Sequence, residues 1–431
     1  MLRGWRIGGT AAKKEKKLSG ALIGSAMEVF DWQVYSTFAA FFAASFFGNQ
    51  DNKSFIQTLV VYAVGFVARP IGSLIFGGIA DVRGRRASLL ATSATAFVGT
   101  VLVATAPTHE QIGVGAAIIL VTARIIQGLA HGGEQPAAGA YMAEQSSLKN
   151  RGRLSSYVYV SVMVGNIVAT LLAALITAVF SKEDISSWVW RIPFIVGGLG
   201  SMMALYSVWR LRETEVFEAE TSKPPLARQM AKSWRPALQI IMLTWGLTVA
   251  FQNWAVIAGF HIQVLHANPN HVMWTAVAAN VVTAIALPLW GSLSDVIGRK
   301  PILYIGLGGL VVSAYPLMEF LDGSWQHMLV AMTTSMVLLA GPLAILPGLM
   351  AELVPTSIRT IGVGLAYAIS TAIFGGTVPA LQAWIGSQRH PQQFGIYVSL
   401  ACLISLLVVL RIPETKHRDL AEVPEDSRAR N

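Results

Sequence analysis

Twelve long apolar stretches, separated by short polar segments, make up most of the chain. Each is long enough for a helix to cross the roughly 30 Å of hydrocarbon in a bilayer. They predict spans near residues 18–47, 55–80, 87–106, 112–144, 152–180, 188–209, 237–265, 271–293, 301–321, 328–352, 358–385 and 392–411. The pattern predicts an all-α membrane protein with many spans.

Composition agrees with this prediction. Of 431 residues, 54% are hydrophobic and 13% are charged, whereas a soluble domain carries about 25% charged residues. A large soluble helical protein is therefore excluded. The polar, basic segment 1–17 leads into an apolar stretch of about 30 residues, so we expect a first span and not a cleaved signal peptide. Cys402 is the only cysteine, so no disulfide can form within the chain.

Positive charges are distributed unequally between the two sides of the predicted membrane. With the N-terminus inside, 26 of the 32 Lys and Arg residues fall on the inner side and 3 on the outer side. Arg69, Arg124 and Arg191 complete the set, within spans or at their edges. This is the positive-inside pattern. The net charge of +9 therefore reflects topology and not nucleic-acid binding. Both termini are expected in the cytoplasm.

Internal repeats divide the chain into two related halves. GGIADVRGRR (77–86) matches GSLSDVIGRK (291–300), and MAEQSSLKNRG (142–152) matches MAELVPTSIRT (350–360). A polar segment lies between the halves. We predict a cytoplasmic N-tail (1–17), a six-helix bundle (18–209), a cytoplasmic linker (210–236), a second bundle (237–411) and a cytoplasmic C-tail (412–431). Transporters with such repeats bind their solute where the halves meet.

The first repeat occupies very short cytoplasmic turns between spans. Gly77 permits close helix approach, Gly84 allows a backbone geometry that other residues resist, and Asp81 can pair with guanidinium groups. The alternative is that the arginines only fix topology, but the motif occurs at equivalent places in both halves. A gating role is therefore predicted for Gly77, Asp81, Gly84, Arg85, Arg86, Asp295, Gly298 and Arg299.

Charged residues within spans are costly and mark function. Glu28 and Asp31 share a face of the first span, and Arg69 lies midway along the second. Polar residues form one stripe of the fourth span: Arg124, Gln127, His131 and Glu134. The second half contributes mainly Gln252, Asn253, Trp254, His261 and Asn280. Such a stripe must face an aqueous cavity or another polar helix.

Acidic residues beside basic ones suggest coupling of a solute to protons, because a buried carboxylate can bind a proton near neutral pH. The alternative is a pairing network that only holds helices in register. We predict proton coupling by Asp31, Glu28, Glu134, Arg124 and His131. We predict solute binding by Arg69, Tyr35, Gln33, Arg124, Gln127, Gln252 and Trp254, with Arg69 gripping an anion.

The GxxxDxxGR turns resemble those of the major facilitator superfamily. In detail, the chain resembles the metabolite:proton symporter family, which includes permeases for α-ketoglutarate, citrate, shikimate and proline/betaine. The stretches that carry the resemblance are AMEVFDWQVYS (26–36), ARPIGSLIFGGIADVRGRR (68–86), ARIIQGLAHGGEQPAAGAYMAE (123–144), WRIPF (190–194) and ELVPTSIRTIGVGLAYAISTAIFGG (352–376). The resemblance implies the major facilitator fold, with twelve transmembrane helices in two six-helix bundles.

Several residues beside the expected cavity depart from the family pattern: Val29, Gln33, His131 and Gln135. They leave the solute open. Sugar porters share the Pro413–Thr415 segment but lack the Glu-x-x-Asp of the first span. Drug antiporters carry Gly-Pro in the fifth span, where this chain has Gly165 and Asn166.

The sequence therefore predicts proton-coupled uptake of a small organic anion, a carboxylate, by alternating access. The alternatives are uptake of a zwitterionic osmolyte such as proline or betaine, and an efflux antiporter. No enzyme, cofactor or metal motif is present, and the lack of a phosphate-binding loop argues against ATP as energy source. We expect the protein to act as a monomer in the cell inner membrane, with solute, proton and lipid bilayer as its partners and no nucleic acid.

Overall fold

The computed structural model describes residues 7–48, 52–211, 213, 234–263, 265, 267–354, 359–386 and 391–420. Its long helices are α1 (Ile7–Phe47), α2 (Asn52–Arg83), α3 (Arg85–Thr105), α4 (Gly115–Gln145), α5 (Arg151–Val179), α6 (Arg191–Trp209), α7 (Trp234–Gln263), α8 (Pro269–Ile297), α9 (Arg299–Glu319), α10 (Trp325–Leu353), α11 and α12 (Phe394–Arg411). Helix α11 consists of Arg359–Ser370, a π-helical turn at Thr371–Gly375, and Gly376–Gly386. Short helical segments lie at His109–Ile112, Lys182–Asp184, Ile185–Val189 and Pro391–Gln393.

Each predicted span corresponds to one of these helices, which confirms the predicted fold class. Eleven helices, α2 to α12, are long and apolar enough to cross a membrane within the described part of the chain. The remaining helix, α1, carries Glu28 and Asp31 near its middle. It begins at Ile7, so it includes most of the segment predicted as a polar tail. The Ala, Lys and Glu residues of this segment have high helix propensity, although Lys and Glu are charged. Most of the linker and the end of the C-tail lie outside the described residues.

The two halves meet along α2 and α11, and along α5 with α8 and α10. Within the first half, α2 and α4 pack closely because glycines remove side chains from the contact. A Cβ on Gly128 would overlap the backbone of Gly65, and one on Gly132 would overlap the backbone of Arg69. Gly132 also accepts a hydrogen bond of 2.5 Å from Ser73 Oγ. The stretch of α2 that carries Arg69 is thereby fixed against α4.

The turns between α2 and α3 and between α8 and α9 lie at the same end of the bundle, which we call the motif end. Gly84 and Gly298 occupy these turns with φ of +103° and +104°. Residues with a Cβ resist that conformation, as the repeat predicts for Gly84. After α12 the chain crosses the motif end, where Leu420 is buried between Ala143 of the first half and Ala351 of the second.

Candidate functional site

A cavity of about 100 Å³ lies between the two halves, midway along the bundle, and we call it the central cavity. Helices α1, α2, α4 and α5 form one wall, and α7, α10 and α11 form the other. Its lining residues include Trp32, Gln33, Tyr62, Phe66, Arg69, His131, Gln135, Tyr159, Asn166, Leu247, Thr248, Phe251, Gln252, Leu343, Leu346, Tyr367 and Thr371. The interface of the halves, where the solute site is predicted, therefore contains a cavity with a mixed lining of apolar and polar side chains.

Arg69 is a buried cation on the wall of this cavity, with 6% of its surface exposed. Its guanidinium carbon lies 3.8 Å from the ring centre of Phe66 and 4.4 Å from that of Trp32. Among the described residues no carboxylate forms an ion pair with it, and its Nε has no hydrogen-bond partner. Ring faces orient a guanidinium but do not neutralise its charge. The site therefore holds a positive charge that an anionic solute can satisfy.

Three buried carboxylates lie near the cavity: Glu28 and Asp31 of α1, which both contact side chains of α4, and Glu134 of α4 itself. Glu28 Oε1 lies 3.0 Å from His131 Nδ1. The side chain of Glu134 fits against Gly24 of α1, where any Cβ would overlap its Oε1. Both acids are less than 10% exposed. His131 lines the central cavity, so it lies between Glu28 and that cavity.

Asp31 belongs to a second polar group, formed with α3 and α4. Its Oδ2 accepts hydrogen bonds from Gln127 Nε2, at 3.1 Å, and from Thr100 Oγ1. Arg124 Nη1 in turn donates to Gln127 Oε1 at 2.9 Å. The guanidinium carbon of Arg124 lies 3.5 Å from the ring centre of Tyr35. Arg124 therefore reaches Asp31 through Gln127 and not by a direct ion pair.

The structure divides the predicted solute-binding residues into two sets. Arg69, Gln33 and Gln252 line the central cavity. Trp254 lines a neighbouring cavity of about 80 Å³ on the side away from the motif end, which Gln33 also reaches. Tyr35, Arg124 and Gln127 line none of the described cavities and form the layer behind the central one. Their role in solute binding stays a prediction.

Sequence reasoning missed several residues of the site: Trp32, Tyr62, Phe66, Thr100, Tyr159 and Tyr367. The aromatic ones follow the same helical faces as the charged residues, and that spacing was the available signal. Thr100 gave no signal, because a threonine in an apolar span commonly bonds the carbonyl four residues earlier, as Thr100 also does at 3.1 Å to Ala96.

At the motif end, Asp81 and Glu144 of the first half bind the start of α11 in the second half. We call these two acids and their partners the first latch. Asp81 accepts hydrogen bonds from the backbone N–H of Thr360 (3.1 Å) and of Ile361 (2.8 Å) at the start of α11. Glu144 pairs with Arg85 of its own half and with Arg359 of the other, each at 2.9 Å. Close approach of α11 is possible because a Cβ on Gly77 would meet the Ile361 backbone at 2.8 Å.

The second half repeats this arrangement in what we call the second latch. Asp295 accepts from the backbone N–H of Gly152 (2.8 Å) and of Arg153 (3.0 Å) at the start of α5. Glu352 pairs with Arg299 of its own half at 3.3 Å and with Arg151 of the first at 3.0 Å. The Glu and Arg of the second sequence repeat thus pair across the halves, a role that the repeat alone did not predict.

Two further acids cap the helices that follow the turns. Glu213 accepts from the backbone N–H of Arg85 and of Arg86, at 3.0 and 3.1 Å. Glu414 does the same for Arg299 and Lys300, at 2.9 and 3.0 Å. Partial burial opposes ionisation of Glu414, but these N–H groups outweigh it and lower the pKa of its carboxyl. Helix N-termini favour negative charge, so the acids stabilise both turns. Arg86 also donates to Trp209 O at 2.7 Å.

Between the central cavity and the latches lies a smaller cavity of about 20 Å³, which extends to Arg359. Tyr159 of α5 and Tyr367 of α11 line both cavities, and their hydroxyl oxygens are 3.4 Å apart. The tyrosine pair therefore lies between the central cavity and the smaller cavity at the motif end. Among the described residues, no group of three or more His, Cys, Asp or Glu could hold a metal ion.

Two related helical halves around a central cavity are typical of transporters, and comparison with known proteins identifies the family. A family model for sugar and other transporters matches residues 18–243, and the Major Facilitator Superfamily model matches residues 240–430. The chain belongs to the major facilitator superfamily, and the resemblance to its metabolite:proton symporters is confirmed. It is a multi-pass membrane transporter and not an enzyme.

Relatives that are named for different solutes align with nearly the whole chain. It is 32% identical to a putative proline/betaine transporter of Staphylococcus aureus (strain COL), covering 92% of this chain and 88% of that protein. It is 31% identical to the alpha-ketoglutarate permease of Escherichia coli (strain K12), covering 91% and 92%. Among solved structures, the proton:xylose symporter XylE bound to 6-bromo-6-deoxy-D-glucose has a TM-score of 0.78 at 18% identity, covering 96% and 98%. That likeness supports the fold.

Proposed function

We propose that the protein is a secondary active transporter that takes up a small organic anion, a carboxylate, together with protons. The observation that carries this proposal is Arg69, a buried guanidinium on the cavity wall that has no carboxylate partner among the described residues. An isolated buried charge is costly, and a planar guanidinium matches a carboxylate with two parallel hydrogen bonds. A solute carboxylate would complete this pair.

Proton coupling is proposed for the carboxylates beside the cavity. Glu28, with His131 against it, is nearest to the solute site, and Asp31 is held by neutral donors from Thr100 and Gln127. Protonation of an acid in this group would leave the positive charge of Arg69 free for the solute. Release of the solute would favour loss of the proton, because the cation would again attract the nearest carboxylate. Glu134 and Arg124 extend the same network.

Alternating access is proposed to occur by rocking of the halves. The latches and the tyrosine pair close the motif end, and they must open for the solute to leave on that side. The positive-inside pattern supports a cytoplasmic motif end with both termini inside. In a bacterial-type cell, a membrane with the cytoplasm on one side is the inner membrane. Because residues of a single chain line the central cavity, we propose a monomer as the functional unit.

A zwitterionic osmolyte is the second candidate solute. It is favoured by similarity to the putative proline/betaine transporter and by the aromatic residues of the cavity, since ring faces attract quaternary ammonium groups. An efflux antiporter is the third, and no feature of the cavity favours it.

The proposal can be tested by thermal shift of the purified protein with a panel of carboxylates, sulfonates and osmolytes. We expect stabilisation by carboxylates in the wild type and none in Arg69→Ala. Gln382→Ala is a matched control, because this buried side chain bonds Asn253 at 3.0 Å away from the cavity lining. Stabilisation by osmolytes alone, or equal stabilisation of the Arg69→Ala variant by carboxylates, would contradict the proposal.

A further inference from the structure

We infer that the solute is a monocarboxylate: a small molecule with one carboxylate, bound by Arg69, and an uncharged, largely apolar body that faces the second half. The inference rests on the proposed function and narrows its solute class. It follows from the number and placement of charges on the cavity wall, from the nature of the opposite wall and from the size of the space.

Arg69 is the one Lys or Arg side chain on the lining of the central cavity in the described part of the chain. His131 also lies on the lining, but its Nδ1 faces Glu28 at 3.0 Å. The second buried cation of this region, Arg124, is turned towards Tyr35 and Gln127 and lies behind the wall. The cavity therefore offers one guanidinium for one carboxylate.

The wall opposite Arg69 is built from neutral side chains of the second half. Its apolar side chains include Leu247, Leu343 and Leu346, and its polar groups, all uncharged, are the hydroxyls of Thr248, Tyr367 and Thr371 and the amide of Gln252. A second carboxylate placed there would lose its hydration without gaining a cation. Burial of an unpaired ionised group costs several kcal/mol or more. Dicarboxylates and tricarboxylates are therefore disfavoured.

A zwitterionic solute is disfavoured because its positive group would lack a partner. The lining of the central cavity includes no Asp or Glu among the described residues, so an ammonium group would have no anionic partner. The ring faces of Trp32 and Phe66, which would suit a quaternary ammonium, already carry the guanidinium of Arg69 at 4.4 and 3.8 Å. A solute cation on these rings would lie beside a like charge.

The space limits the size of the solute. The central cavity of about 100 Å³ has room for more than one water molecule, each of which needs on the order of 15 Å³. Small organic acids such as pentanoate and cyclohexanecarboxylate are therefore suitable probes.

Calorimetric titration of the purified protein with matched ligands tests the inference. Pentanoate and glutarate share a five-carbon chain and differ by one terminal carboxylate, and cyclohexanecarboxylate and cyclohexane-1,4-dicarboxylate form a second pair. Glycine betaine represents zwitterions, and pentanamide lacks the charge. We expect each monocarboxylate to bind at least about tenfold more tightly than its dicarboxylate partner and than betaine. We expect no binding of pentanamide.

A variant designed to gain affinity for dicarboxylates provides a more stringent test. Gln252→Lys places an ammonium on the neutral wall, so we expect the affinity ratio of glutarate to pentanoate to rise at least about tenfold. Gln252→Met, similar in length and uncharged, should leave the ratio unchanged. Equal or tighter binding of the dicarboxylates or of betaine by the wild type would overturn the monocarboxylate inference while leaving solute transport intact. Absence of binding by every carboxylate in both pairs would instead contradict the proposed function.

Discussion

The hydrogen bonds of Asp81 provide a quantitative test of the first latch. Its carboxylate accepts from two N–H groups of the opposite half, Thr360 and Ile361, and from Arg85 Nη1 at 2.8 Å. In Asp81→Asn one oxygen becomes an NH₂ group, which cannot accept from an N–H donor. One bond between the halves is lost and the other becomes a neutral bond. Hydrogen bonds to charged groups contribute about 1.5–3 kcal/mol and neutral ones about 0.5–1.5 kcal/mol.

The closed motif end should therefore lose about 2 kcal/mol in Asp81→Asn, which raises the ratio of open to closed protein about thirtyfold. The assay is the labelling rate of a cysteine at Ala140, which lines the small cavity behind the latches, by a maleimide in nanodiscs. Cys402→Ala removes the native thiol. Solute affinity should stay largely intact because Asp81 lies far from the central cavity, whereas transport should be impaired.

Asp322→Asn is the matched control, because Asp322 is an exposed aspartate at the opposite end of the bundle, 2.9 Å from His327. Hydrogen bonds from Ser324, and to a lesser extent His327, lower the pKa of Asp322 to about 2, so this substitution also removes a charge at neutral pH. It should leave the labelling of position 140 unchanged. An unchanged labelling rate in Asp81→Asn, or loss of solute binding with normal exchange, would refute the gating role.

The other predictions concern the second latch, the solute site, the proton path and a helix cap. Asp295→Asn should raise labelling as Asp81→Asn does, because its carboxylate makes the equivalent bonds to the start of α5, and normal labelling would restrict gating to the first latch. Arg69→Ala should weaken carboxylate binding about thirtyfold or more, and Arg69→Lys should recover little of it, since an ammonium cannot form the two parallel bonds; full recovery by lysine in a titration would exclude bidentate binding. Asp31→Asn should bind and exchange solute but fail to concentrate it in liposomes under a pH gradient, while His131→Ala should only shift the pH optimum modestly. The pKa of Glu414 is lower in the folded than in the unfolded protein, so its carboxylate stabilises the fold above the unfolded-state pKa and loses this effect as pH falls through the folded-state pKa. Thermal unfolding of Glu414→Gln should therefore show a lower melting temperature than wild type at neutral pH but not in acid.

Much of the site could be predicted because helix periodicity fixes which residues share a face. The stripe on α4 indicated that Gln127 and His131 point the same way, and the structure places them against Asp31 and Glu28 of α1. Periodicity does not show which arginine reaches the cavity. The sequence made both Arg69 and Arg124 candidates for solute binding, with Arg69 as the one that holds the anion. In the structure Arg124 packs against Tyr35, away from the cavity lining.

The ion pairs between glutamates of one half and arginines of the other could not be predicted from the sequence repeat either. The repeat identified Glu144 with Glu352 and Arg151 with Arg359, but a repeat relates positions and does not say whether partners lie in the same half. In the structure each glutamate pairs with the arginine of the other half, Glu144 with Arg359 and Glu352 with Arg151. Helix α1 begins before the predicted span, because hydropathy reports where a span enters the membrane, whereas helix propensity continues the helix through polar residues.

Uptake into proteoliposomes under an imposed pH gradient tests proton-coupled transport most directly. The probe is the radiolabelled carboxylate that binds most tightly in the calorimetric panel, and protein-free liposomes correct for passive entry of the protonated acid. We predict accumulation above the external concentration when the outside is acidic, collapse of that accumulation when a protonophore removes the gradient, and no accumulation by Asp31→Asn. Accumulation that persists after the gradient is removed, or uptake that only equilibrates the solute under every gradient, would contradict proton symport.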